Sequence, residues 1–465
     1  MKIRHLICTL AFIPLIGCTV GPDYTPPELD APPKFLSGEV LSMLNTDKTE
    51  TAIPNEWWRG FDDPVLNDLV AAGIANNYDI AADAARVRQF RSNIDLAASA
   101  DNLNIDANID GDLSDRRNLN NNSSTNTSSA SAGLGATLPL DIFGQTRRDV
   151  ESARAALQAA EEDLRNTVLS VSADIAAEYL QLRGNQRQLE LLRESVTLQE
   201  KTLSIVESRF KYGLAPDLDK QRAITSVENL RADIPPLEQS LLQSRNRLAT
   251  LTGLYSGAYE DLLKPTANIP GYNALIPDII PFEMLSRRPD VRTAEANLKQ
   301  RVADIGVAEA EFYPAFELSA AVAISATGGS AGAAQTILSA LGAVIDQTLI
   351  DGGRRQANLD IARAETDEAL AQYKQAVLLA VEDVETALSN LKASRERQIP
   401  LEKSVAASNR SFNQAEILYR EGLISFLDVV DAQRVLASAE QQLARERTNY
   451  AVLISALFES LGFIE

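Results

Sequence analysis

Four turn markers recur along this chain at one constant spacing, and that spacing constrains the fold more than any other feature. Gly144, Gly213, Asp219 and Gly253 reappear as Gly353, Gly422, Asp428 and Gly462, each about 209 residues later. A shared offset over such a span identifies an internal duplication. After the first marker, apolar residues fall at three- and four-residue steps: Val150, Ala153, Leu157, Ala160, Leu164, Val168, Val171, Ile175, Tyr179 and Leu182. They resume at Leu189, Leu192, Val196, Leu203, Val206 and Phe210. This is a coiled-coil seam, with stutters at the consecutive four-residue steps. Leu359, Ala362, Leu370, Tyr373, Val377, Val384, Leu388 and Leu391 repeat it in the second half. Gly144 to Gly213 predicts a helix of roughly 100 Å, far beyond ordinary globular helices. Each long helix turns at Gly213 or Gly422 into a partner helix, closed by Leu251-Thr252-Gly253 or Ser460-Leu461-Gly462.

Four segments alternate with the period of a strand. In the first hairpin Leu103, Ile105, Ala107 and Ile109 alternate with Asn104, Asp106, Asn108 and Asp110, and Ala130 to Leu138 alternates likewise. In the second, Phe316, Leu318, Ala320, Val322 and Ile324 alternate with smaller or polar residues, and Thr336 to Ile350 supplies a fourth strand. Asn- and Ser-rich Arg116 to Ser129, and Gly- and Ala-rich Thr327 to Gln335, read as the connectors. Strands with one apolar and one polar face suit a sandwich or a membrane barrel. Single-chain barrels begin at about eight strands, so closing one here requires two or three copies of the chain.

The N-terminus sets the compartment. Lys2 and Arg4 precede a short apolar run, Leu6 to Leu15, too short to span a bilayer. Leu15-Ile16-Gly17-Cys18 resembles a lipobox, which makes Cys18 the lipidated first residue of the mature chain; Thr19, in place of Asp, leans towards outer-membrane sorting. Cleavage at residue 17 removes His5 and Cys8. The mature chain then lacks histidine and keeps one acylated cysteine, which excludes Ser-His-Asp and Cys-His catalysis, His- or Cys-ligated metals and disulfides. No cofactor or metal is expected. A net charge of -20 argues against a nucleic-acid partner. Carboxylate pairs such as Glu161-Glu162 and Glu382-Asp383 leave a hydrolase conceivable, but they read more simply as solvated helix faces.

Several runs together resemble the TolC-type outer membrane factors, in the lipoprotein branch that serves resistance-nodulation-division pumps. They are Cys18-Thr19-Val20-Gly21-Pro22-Asp23-Tyr24, then Trp57-Trp58 with Phe61, Asp63-Pro64, Leu66 and Asn76-Asn77. The most specific are Arg287-Arg288-Pro289-Asp290-Val291, Ala303 to Ala308 and Phe312-Tyr313-Pro314. The resemblance implies a mainly α chain with a membrane β-barrel. It implies a homotrimer whose strands share one twelve-stranded outer-membrane barrel and whose helices form a periplasmic tunnel. In each half a long helix would lie beside two shorter ones, here Tyr78 to Asp101 and Pro216 to Asp233. On this basis residues 1–17 are the signal peptide and 18–56 a lipidated extension. Residues 57–255 form the first repeat with a hairpin over 103–143. Residues 256–280 form an equatorial linker, and 281–465 the second repeat with a hairpin over 315–351. Pro235-Pro236 should break its helix.

The implied role is an exit duct, not an enzyme. Its partners would be a periplasmic adaptor, an inner-membrane resistance-nodulation-division transporter and outer-membrane lipid. The tip turns Gly213-Leu214-Ala215 and Gly422-Leu423-Ile424-Ser425 would meet the adaptor. Asp428 and Asp431 match the family's constricting carboxylates, and Asp219 is the repeat equivalent of Asp428. Early-turn aspartates also complement a helix N-terminus, so a capping role competes with the gate. The other readings are a duct for a different exporter and a trimeric coiled-coil structural protein. The latter leaves both hairpins unexplained.

Overall fold

The computed structural model describes residues 19–28, 32–41, 55–118, 123–276, 281–329 and 332–463. The leader and Cys18 lie outside the described residues. A short 3-10 turn, Trp57–Phe61, precedes α1 (Pro64–Asn76) and α2 (Tyr78–Ala98). Strands β1 (Asn104–Asn118) and β2 (Ser123–Leu140) lead into α3 (Gln145–Lys211), α4 (Asp217–Ala232), α5 (Ile234–Leu251) and the short α6 (Glu260–Leu263). Next come α7 (Pro281–Leu285), α8 (Pro289–Ala310), β3 (Ala315–Gly329), β4 (Gly332–Asp346), α9 (Arg354–Arg420) and α10 (Phe426–Leu461). Helices α3 and α9 are 67 residues each, and their bounds keep the offset seen in the sequence. No helix among the described residues is long and apolar enough to cross a membrane.

Contacts divide the chain into two compact units, and each draws on both repeats. The first contains the N-terminal segment up to Pro27, Val87–Ala160 and Ala294–Tyr373. Its centre is one antiparallel sheet in the order β1-β2-β3-β4, so the hairpins of the two repeats pair directly through β2 and β3. Register puts Ile105, Ala136, Ala320 and Leu341 in one row, and Ala107, Leu134, Val322 and Ser339 in the next, all on one face. The opposite face carries Asp106, Gly135, Ala321 and Ala340. The strands also differ from the expected bounds. The ladder runs through most of the supposed connectors, to Asn118 and from Ser123, and to Gly329 and from Gly332. The fourth strand starts at Gly332 and ends at Asp346, leaving Leu349 and Ile350 beyond it. Ser, Thr and Asn carry no apolar alternation, yet their backbones still pair.

In the same unit the segment after Cys18 is strapped down. Val20 N–H donates to Phe143 O at 3.0 Å. The buried Arg148 guanidinium donates to Val20 O (3.0 Å), Gly21 O (3.0 Å) and the Asp23 carboxylate (2.9 Å). Gly21, at φ +90°, lies so close to Gly306 that a Cβ would sit 2.4 Å from its Cα.

The second unit contains Glu28–Arg86, Glu161–Thr293 and Lys374–Glu465. An aromatic cluster gathers its distant parts. Trp57 stacks on Phe458 at 5.4 Å, Phe458 meets Tyr272 at 5.3 Å, and Tyr272 meets Phe61 at 5.1 Å. Leu263 and Ala274 are buried too, so the segment expected as a linker packs as part of a core. Arg288, also buried, donates to Asp290 (2.7 Å), Asp383 (2.9 Å) and Ser460 O (2.8 Å). Glu162 corrects the expectation of a solvated acidic face. It is 2% exposed and paired with Arg292 at 2.7 Å and Arg165 at 3.0 Å. The two guanidinium groups offset the cost of taking that carboxylate out of water.

The double proline breaks its helix over a single residue. α4 ends at Ala232 and α5 starts at Ile234, while Asp233 keeps helical angles of φ -79° and ψ -11°. Pro235 and Pro236 have no N–H to offer the Arg231 and Ala232 carbonyls, and at the break Asp233 N–H donates to Leu230 O at 3.3 Å. Ala444 and Arg445 occupy the equivalent places, and α10 runs unbroken.

Candidate functional site

The turns of the two helical hairpins have one design. Gly213 and Gly422 sit at φ +70° and +77°. Leu214 N–H reaches Arg209 O (2.8 Å) and Gly213 N–H reaches Phe210 O (3.0 Å). Leu423 N–H likewise reaches Leu418 O (2.9 Å), and Gly422 N–H reaches Tyr419 O (2.9 Å). Both are Schellman ends, which satisfy the last carbonyls of a helix through a left-handed residue. Nothing lies within 4 Å of a Cβ built on either glycine, so their requirement is conformational, not spatial.

A core holds the two turns together. Val206 and Ala223 from the first hairpin pack with Phe412, Tyr419, Phe426 and Val429 from the second. Arg209 crosses between them: its guanidinium lies 4.8 Å from the centre of the Tyr419 ring and donates to Tyr419 O at 2.9 Å. Burial raises the Tyr419 pKa, and the nearby Asp219 charge adds to this.

The structure separates the expected tip residues by role. Leu214 and Leu423 are exposed at equivalent positions. Ile424 is half-buried against the shared core, so it belongs to packing more than to the outer surface. Ser425 is the N-cap of α10. Its N–H donates to the Asp428 carboxylate at 2.9 Å and its hydroxyl at 2.7 Å. These bonds pull the Asp428 pKa below the usual carboxylate range. The cap is therefore complete at neutral pH and is lost only as pH falls through that lowered value. Asp431 lies one turn on and pairs with Arg434 at 2.7 Å, both exposed. Asp219 is in the first turn of α4, half-buried.

Sequence reasoning missed three features here. Leu218 and Leu427, equivalent across the duplication, are exposed as Leu214 and Leu423 are and add to the apolar surface of each turn. Their shared offset was the available signal. Tyr212 is exposed as well. The Ser425-x-x-Asp428 cap was readable as a capping pattern.

The other surface that calls for a partner is the apolar sheet face. Ile105, Ile109, Leu113, Leu134, Val322 and Leu341 all lie on it and are all more than half exposed. A continuous apolar face of this extent, on strands whose other side is polar in β1 and mostly small or polar in β2 and β3, is the surface of a membrane barrel strand set.

The sequence profile described as outer membrane efflux protein matches residues 69–254 and 280–462, one stretch in each repeat. The chain belongs to the outer membrane efflux protein family. Nodulation protein T of Rhizobium leguminosarum bv. trifolii is 30% identical over 449 residues, covering 96% of this chain and 95% of that protein. The toluene efflux pump outer membrane protein TtgC of Pseudomonas putida is 29% identical over 466 residues, covering 98% of this chain and 94% of that protein. Among solved structures, the outer-membrane channel OprN superposes with a TM-score of 0.86 at 32% identity, covering 96% of this chain and 99% of that one. This outer membrane efflux protein is an outer-membrane channel, with its strands in the membrane and its helices on the periplasmic side. The apolar face of the sheet is thereby the one that meets lipid.

Proposed function

We propose that three copies of this chain form the exit duct of a tripartite efflux system, constricted at its periplasmic end by Asp219, Asp428 and Asp431. The observation that carries the reading is a four-stranded sheet with an exposed apolar face and two unpaired edges, β1 and β4. Inside a membrane each unpaired backbone group costs several kcal/mol, so the edges must close on other copies. Three copies make twelve strands around one barrel. The duct receives cargo from an inner-membrane resistance-nodulation-division transporter through a periplasmic adaptor. Cys18 carries the lipid that tethers the mature chain to the same membrane.

Mass measurement of the detergent-solubilised protein should give three chains, each with an acylated Cys18. A stable monomer or dimer that still conducts ions would sink the trimer. An unmodified cysteine would remove the tether. In single-channel recordings of that trimer, the double variant Asp428→Ala/Asp431→Ala should lose cation selectivity and block by multivalent cations. Wild-type selectivity and block would reduce both residues to cap and surface pair.

The exposed leucines make the turns adaptor-binding knobs. Leu214→Glu and Leu423→Glu put charge on those knobs without touching the glycines or the Ser425 cap. Each should abolish crosslinking to the adaptor while the trimer stays intact. Undiminished crosslinking would move the docking surface elsewhere.

A further inference from the structure

Two hollows are lined by the sheet, one at its foot and one further along its strands. The lower is a cleft of about 390 Å³ at the foot of the sheet, where β2 leads to α3 and β4 to α9. Phe316 stands on the apolar face, in register with Leu140 and Ile345. Phe143 lies 6.4 Å from the Phe316 ring and stacks on Tyr313 at 4.6 Å, which makes an aromatic shelf in the cleft. Arg354, the first residue of α9, faces Glu311 Oε2 across 3.7 Å, too far for a hydrogen bond. That oxygen accepts instead from the Asn358 amide at 3.3 Å. The Arg354 side chain is 61% exposed. Just before it, Leu349 and Ile350 stand 85% and 92% exposed. The upper hollow, about 540 Å³, has small residues Ala136 and Ala320 among larger Ile105, Leu134, Val322 and Leu341. Four residues of β3 separate Phe316 from Ala320, about 13 Å along the strand.

We propose that this foot is a binding site for a phospholipid whose headgroup bears a primary ammonium, a phosphatidylethanolamine. Arg354 takes the phosphate, Glu311 takes the ammonium, and an acyl chain lies over Ala136 and Ala320. The charge pattern selects the headgroup. Arg354 and Glu311 form only a loose ion pair with no direct hydrogen bond between them, and a zwitterion gives each a charge-assisted hydrogen bond. A glycerol headgroup supplies no cation for Glu311. A choline headgroup supplies a cation with no N–H to donate. The inference rests on the membrane placement of the sheet.

The test is native mass spectrometry of the trimer with equimolar phosphatidylethanolamine, phosphatidylglycerol and phosphatidylcholine. Up to three phosphatidylethanolamines should be retained per trimer, preferred about tenfold over either competitor. Arg354→Gln should lose most of that retention, and Glu311→Gln should level the preference between headgroups. Arg354 is exposed, and Glu311→Gln keeps an oxygen to accept from the Asn358 amide, so both changes spare the local fold. Ala320→Phe, which fills the upper hollow, should weaken all three lipids alike. Equal retention of the three lipids by the unaltered protein would overturn the proposal, as would unchanged retention in both Gln variants. The same spectra report the number of chains, so a failed trimer shows as a different protein mass and not as missing lipid.

Discussion

An arginine at Leu134 should abolish assembly in the membrane, whereas an arginine at Ser131 should leave a working channel. The residues are three apart on β2 and point to opposite faces. Leu134 pairs with Ala107 and Val322 in the apolar rows, and Ser131 pairs with Asp110 and Ser325 in the polar ones. A lipid-facing arginine near the bilayer midplane costs about 2–4 kcal/mol in a barrel. Three copies place three such charges in one structure, a total of roughly 6–12 kcal/mol, comparable to the whole stability of a domain. At Ser131 the guanidinium enters water beside the Asp110 carboxylate. Membrane fractionation and the trimer band on mild electrophoresis read the outcome. If Leu134→Arg inserts as well as Ser131→Arg, the two faces have been assigned the wrong way round.

Trp57→Ala should lower stability by about 3–5 kcal/mol, the usual range for emptying a buried aromatic site. Trp57 is fully buried, lies parallel to Phe458 at 5.4 Å and meets Trp58 edge-on at 5.7 Å. Removing it takes the centre from the cluster that holds the 3-10 turn, Tyr272 and the end of α10 together. Trp57→Phe should be far milder. The Trp57 Nε1 has no acceptor among the described residues, so phenylalanine gives up ring area without breaking a hydrogen bond. Denaturant or thermal unfolding followed by aromatic fluorescence separates the two variants. A loss below about 1 kcal/mol for Trp57→Ala would mean that the cluster collapses into the space and carries little stability.

The parts of the fold legible in the sequence were those whose signals are local. Glycines at left-handed turns and a three-four apolar seam located α3 and α9 almost to the residue. Leu103 to Asp110 announced β1 by alternation. The parts that were not legible depend on partners far along the chain. Asn- and Ser-rich ends of β1 and β2 have no hydrophobic period, and only the ladder extends them. Glu162 looked like half of a solvated acidic pair, because Arg165 three residues on is an ordinary surface pairing and the second partner, Arg292, stands far along the chain. Arg148 and Arg288 gave no sign of burial for the same reason: a charge is buried only where carbonyls and carboxylates from several segments converge. At the helical turns, the aspartates were legible as early-turn residues. Which of them caps was not settled until the Ser425 hydroxyl and N–H were both seen on Asp428. Leu218 and Leu427 escaped because exposed leucines inside an amphipathic helix resemble core positions until the neighbouring helices are placed.

The open edges of the sheet also fix how stability scales. Strands β1 and β4 complete their hydrogen bonding only through other copies, so the barrel is a third-order product of free chain. Its unfolding midpoint therefore has no single value and rises with the amount of protein in the membrane, as mass action requires. Diluting the chain weakens the barrel without any change in sequence. A cell that makes too little of it holds chains with exposed edges, and such edges invite wrong pairings. Dosage thus acts on this protein as a folding variable.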